Sequence, residues 1–138
     1  ACVHINDVET LVDAYLRILS NAKWDDADAK YLAESFVDTS DSINILAGIP
    51  LGNATFPTKA AIIEHEKTAP DNLPIKVTLK GPVNCEYISF VWSAIFGAGK
   101  LVRGLTILGV TKEAGWWQIK SIDVEFNSIA FLENIGGS

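Results

Sequence analysis

Methionine is absent from the 138 residues, and histidine and cysteine occur only twice each. With no CxxC pair, His-Glu motif or EF-hand loop, little remains from which to build a metal centre. No metal and no cofactor are expected. Basic charge is also scarce: 11 Lys and Arg face 17 Asp and Glu, for a net charge of -6. Duplex nucleic acid is bound by clustered Lys and Arg that displace counterions, so no nucleic-acid partner is expected. The same deficit argues against an anionic membrane surface. No apolar run approaches the roughly 20 residues of a membrane-spanning helix. No Gly-x-Ser-x-Gly elbow occurs, and "GAGK" at Gly97 to Lys100 lacks the rest of a phosphate loop.

What is present describes one globular domain over residues 1–138, with 49% hydrophobic and 20% charged residues. The chain opens at Ala1 and is read as a mature, secreted form from which a signal peptide has been removed. Cys2 and Cys85 are either two reduced buried thiols or one long-range disulfide. The terminal position of Cys2 favours the disulfide. Asn53-Ala54-Thr55 is a glycosylation sequon within the turn-rich "GIPLGNATFP".

Val8, Leu11, Val12, Tyr15, Leu16 and Leu19 recur at helical spacing and predict a helix from about Val8 to Ala22, capped by Asn6 or Asp7. Ala29, Leu32, Ala33 and Phe36 predict a second helix over Asp26 to Phe36. A short strand is expected over Ile43 to Ala47 and a third helix over Pro57 to Thr68. Then come β-branched and aromatic runs at Ile75 to Leu79, Cys85 to Phe96, Leu101 to Thr111 and Trp116 to Ile129. "GAGK" and "KEAG" supply turns between them. Helices first and a strand meander afterwards predict an α+β fold.

"LVRGLTILGV" is apolar on both faces, which calls for a cover on the outer side of the sheet, and a second copy of the chain is the expected one. Trp117 and Ile119 are out of phase with Ile122, Val124 and Phe126. A β-bulge near Lys120-Ser121 would bring all five to one face.

The order of elements resembles the nuclear transport factor 2-like superfamily, which includes the SnoaL-like polyketide cyclases. The segments "DTSDSINILAGIPLG", "TFP", "VRGLTILGVTK" and "WWQIKSIDVEFNSIAFLENIGG" look like a group of secreted fungal proteins of that superfamily. The resemblance implies a cone in which a strongly bent antiparallel sheet wraps around three helices, with a pocket at the open end. It does not settle activity, because the superfamily includes isomerases, dehydratases, cyclases, epoxide hydrolases and binding modules.

Three chemistries known in that superfamily are tested on these residues. The dehydratase pattern needs a pair of pocket histidines, whereas His4 lies in an N-terminal arm and His65 among charged residues of "IIEHEKT". The isomerase pattern needs an acidic base and a tyrosine. Asp38 or Asp41 and Tyr15 are the candidates, although "DTSDS" is also common turn and cap chemistry. The epoxide hydrolase pattern finds the right groups in Arg103, Asp123, Glu125 and Asn127, with Glu125 the expected partner of Arg103. A structural ion pair or an interface contact is the plainer reading of those residues. Tyr15, Phe36, Trp92, Arg103, Glu125 and Asn127 are therefore expected at a pocket, with Asp38, Asp41 and Glu125 as candidate catalytic groups. The expected partner is a small hydrophobic molecule, bound or transformed without a cofactor.

Overall fold

The computed structural model describes residues 2–20, 25–68 and 73–137. Helix α1, Ile5–Ser20, buries Val8, Leu11, Val12, Tyr15 and Ile18 along one stripe. It begins before the predicted Val8, with the Val8 amide donating to the His4 carbonyl at 2.9 Å. The expected end at Ala22 lies outside the described residues.

The predicted second helix is replaced by a short 3-10 helix, Asp26–Tyr31, followed by strand β1, Leu32–Thr39. The reason is a register shift between Leu32 and Val37 where β1 pairs with the last strand. An irregular strand buries Leu32, Ala33 and Phe36, and that spacing imitates one face of a helix. The predicted strand at Ile43 to Ala47 is helix α2, Asp41–Ala47. Ser40 caps it by accepting from the Ile43 amide, and Gly48, at φ 72°, ends it in the left-handed region. Helix α3 spans Lys59–Thr68.

Strands β2 (Ile75–Val83), β3 (Tyr87–Ile95), β4 (Leu101–Thr111) and β5 (Gln118–Phe126) follow, and helix α4 (Ser128–Asn134) takes the end expected to be strand. The sheet order is β1-β5-β4-β3-β2. All neighbours are antiparallel except β1 and β5, so the sheet is mixed, and among the described residues four α-helices rather than three accompany it. The expected α+β cone with a curled sheet is the observed architecture.

The bulge falls where the alternation demands it. Gly109 pairs with Ser121 and Val110 with Ile119, leaving Lys120 as the extra residue. Ile119, Ile122 and Val124 consequently share the buried face. A side chain at Gly109 would collide with Ser121, so glycine makes room for the bulge. The inner face carries Ile88, Phe90 and Trp92 of β3 with Val102 and Leu108 of β4, packed against α1. On the outer face Leu79, Leu101, Leu105 and Ile107 are exposed.

Cys2 and Cys85 form a disulfide that ties the segment before α1 to the turn before β3. With a sequence separation of 83, the cross-link contributes about 4–5 kcal/mol on chain entropy. At the other end, Asn134 donates to the Lys100 carbonyl at 2.7 Å and accepts from the Lys100 amide at 2.8 Å. These bonds fasten α4 to the β3–β4 hairpin, beneath which it closes the cavity described next.

Candidate functional site

Asp38 is the last inward-facing residue of β1 and is 1% exposed. Its backbone is clamped on both sides: its amide donates to the Phe56 carbonyl at 2.9 Å, and its carbonyl accepts from the Thr55 amide at 2.8 Å. The side chain is thereby fixed at the wall of a cavity of about 330 Å³. Its Oδ1 is buried without a hydrogen-bond partner. Buried polar atoms are almost always paired, so an orphaned carboxylate oxygen in a cavity wall is a marked exception.

The remaining walls are mostly apolar. Helix α1 contributes Tyr15 and Leu19, and α2 contributes Ile43, Leu46 and Ala47. The sheet supplies Ile75, Trp92, Val124 and Phe126, and the α4 end supplies Phe131 and Ile135. Phe126 links two aromatic contacts, 6.0 Å to Trp92 and 5.3 Å to Phe131 between ring centroids. Helix α3 adds two polar groups, His65 and Glu66, with the His65 ring 4.9 Å from that of Phe56.

Three buried groups are linked by hydrogen bonds beneath the cavity. The Trp92 indole donates to Thr106 Oγ1 at 3.0 Å, and the Tyr15 hydroxyl lies 2.9 Å from the same oxygen. Indole can only donate, so Thr106 accepts from it while sharing one further bond with Tyr15. Burial pushes the Tyr15 phenol above its usual range, outweighing the opposite effect of the Thr106 bond, and nearby Asp38 adds to the rise. Tyr15 therefore stays protonated.

Burial pushes the Asp38 carboxyl up to about 7, helped by the charges of Asp123 and Glu66. Glu66 is raised to about 7 by burial alone. Two carboxyl groups facing one apolar space thus exchange protons near neutrality, where an acid or base is most useful.

The residues expected at a pocket separate into three groups. Tyr15, Trp92 and Asp38 line the cavity. Phe36, 1% exposed, belongs to the core cluster instead. Arg103, Glu125 and Asn127 do not reach the cavity, which corrects the expectation for the last strand. Val124 and Phe126 face inward, so alternation turns Glu125 outward. No Arg103–Glu125 ion pair forms among the described residues. The Glu125 carboxylate instead accepts from the Ser42 amide and Ser42 hydroxyl, both at 2.8 Å, and from the Asp41 amide at 3.2 Å. Asn127 caps α4 by accepting from the Ala130 amide at 3.0 Å. Asp41 lies outside the cavity and accepts from the Gly52 amide at 2.7 Å, a turn role. Asp123 is exposed on β5.

Glu66 was not anticipated, and a signal for it was present. It lies four residues after the fully buried Ile62, on the same helical face. Among the described residues no group of three His, Cys, Asp or Glu is placed to hold a metal ion. A second depression, about 380 Å³, lies between Asp7, Thr10, Lys30 and Trp116, but neither of its charged groups is buried.

Comparison with known proteins agrees with this architecture. Nuclear transport factor 2 from Cryptosporidium parvum aligns with a TM-score of 0.64 at 9% identity, over 88% of this chain and 93% of that one. The Delta 5-3-ketosteroid isomerase from Mycobacterium sp. aligns at 0.57 and 16% identity, over 90% and 95%. An NTF-2-like protein of unknown function from Silicibacter pomeroyi gives 0.57 and 15%, over 90% and 96%. Identities this low speak to fold alone. No curated protein matches the chain. A family profile described as an NTF2-like domain matches residues 1–138. The chain belongs to the NTF2-like family.

Proposed function

We propose that the chain binds a small, mainly apolar molecule carrying one polar group, in the cavity between α1, α2, α3 and the sheet. The observation that carries this is the buried Asp38 carboxyl, with one oxygen unpartnered, in the wall of a mainly apolar space of about 330 Å³. That volume is at the lower end of the roughly 300–1,000 Å³ usual for small-molecule sites. A bound hydroxyl or amine would satisfy the oxygen while burying the rest of the ligand against Trp92, Phe126 and Phe131. Calorimetry with naphthylmethanol tests the reading: one-to-one binding is expected, and Ala47→Trp, which narrows the α2 wall, abolishes it. Absent or unaffected binding contradicts the reading.

A second reading is favoured by the Asp38 carboxyl near 7 in the same cavity as the protonated Tyr15 phenol. It is a cofactor-independent isomerase, dehydratase or hydrolase acting on a polyketide- or terpenoid-like substrate, with Asp38 moving the proton and Tyr15 donating a hydrogen bond. Turnover abolished by Asp38→Asn, with binding retained, distinguishes it from pure binding.

The setting we propose is extracellular, as in the secreted fungal proteins that the chain resembles. The Cys2–Cys85 disulfide supports it, because such bonds persist in oxidising compartments. Asn53 is exposed, as a glycan site must be. An unmodified mass for the protein recovered from its native source removes the glycan from the proposal. The working form is a homodimer through the exposed apolar face of β4.

A further inference from the structure

The polar lining of the cavity is of one sign. Among the described lining residues, Asp38 and Glu66 are acids, Tyr15 is a protonated phenol, and the only base, His65, sits on an exposed stretch of α3. Among the described residues, no Lys or Arg lines the space. A carboxylate or phosphate entering it would meet two carboxyl groups and no fixed cation. A plain hydrocarbon would leave Asp38 Oδ1 still unpaired. A neutral alcohol would satisfy that oxygen but leave the paired acids without a countercharge.

We propose that the ligand is a hydrophobic amine, bound as its ammonium ion between Asp38 and Glu66, with its apolar body against Trp92, Phe126 and Phe131. This rests on the reading of the cavity as a small-molecule site and adds the chemical class of its occupant. An ammonium group offers three donors and one positive charge, which meet the orphaned oxygen and the acid pair together. The aromatic walls suit a cation as well as its hydrocarbon body, because a ring face attracts positive charge. Clamping of Asp38 between Thr55 and Phe56 holds the acceptor in place before the ligand arrives.

The acid pair also sets a pH dependence. Asp38 feels the charges of Glu66 from α3 and of Asp123 on the outer side of β5, with Tyr15 of α1 nearby, and none of them is a cation. Raising the pH ionises Asp38 and Glu66 while an aliphatic amine stays charged, so affinity climbs as pH rises through about 7.

The test is calorimetry on the whole chain with three probes of one shape: naphthylmethylamine, naphthylmethanol and naphthoic acid. The amine is expected to bind about tenfold or more tighter than the alcohol, the scale of one charge-assisted hydrogen bond. The acid binds weakest. Asp38→Asn and Glu66→Gln each shrink the gap between amine and alcohol, and cooperative thermal melting reports that the variants are folded. Alcohol or acid binding as tightly as the amine overturns the amine assignment and leaves the cavity reading standing. Binding of none of the three overturns both.

Discussion

Gly104 pairs directly with Trp92 in the β3–β4 ladder, and the indole ring occupies the space that a side chain at 104 would need. The absence of a Cβ lets Trp92 lie flat over β4 and reach Thr106 with its N–H. Thr106 in turn holds Tyr15. The missing side chain of one residue thus sets the positions of two cavity walls.

Gly104→Val is expected to displace the indole and break the Trp92–Thr106 bond. The expected loss is about 1–3 kcal/mol of stability from overpacking, together with weaker binding of naphthylmethanol. Denaturant unfolding and calorimetry measure the two. Wild-type values for both contradict the packing described here.

Glu125 lies outside the cavity yet governs one of its walls. Its carboxylate receives the first amides of α2, and α2 carries Ile43, Leu46 and Ala47 into the lining. Glu125→Ala is expected to cost about 1–2 kcal/mol, the range for a lost helix cap. Amide exchange quickens along α2 with little change in β3 or β4. Uniform quickening across the molecule points instead to global unfolding and removes the specific role.

Stability should fall as pH rises through neutrality. Asp38 and Glu66 have ordinary values of 3.8 and 4.5 and are raised to about 7 in the folded chain. Between those values the native state holds more protons than the unfolded state, so protonation favours folding. The contribution is complete below the unfolded values and is lost as pH passes about 7. Thermal melting is expected at a higher temperature near pH 5 than near pH 8, and Asp38→Asn flattens the slope. A slope unchanged in that variant contradicts the assignment to Asp38.

The outer face of the sheet tests the proposed dimer. Leu79, Leu101, Leu105 and Ile107 are 44–60% exposed there, and apolar side chains gathered on one face are what a partner surface covers. Light scattering should give twice the 15.0 kDa chain mass, and Leu105→Arg should return it to one chain. A wild-type mass of one chain at micromolar concentration contradicts the dimer.

Much of the fold was legible in the sequence because strands β2 to β5 keep their alternation, and even the bulge at Lys120 follows from it. Strand β1 was not, because its register shift gives Leu32, Ala33 and Phe36 a helical spacing. That one misreading left Asp38 as one of three candidate acids, with nothing to mark it as the buried one. On a helix ending at Phe36 it is a turn residue, whereas on a strand it shares the buried face of Phe36 and Ser40. In β5 the alternation correctly parted Glu125 from Val124 and Phe126 but could not say which group faced the cavity. The answer depends on α2, whose amides claim the Glu125 carboxylate from 83–84 residues away in sequence.

The most direct measurement is a crystal structure of the chain soaked with naphthylmethanol. The account predicts ring density against Trp92, Phe126 and Phe131, with the hydroxyl within hydrogen-bonding distance of the Asp38 carboxyl. A cavity empty of the probe, or the ring seated only on the outer face of β4, contradicts it.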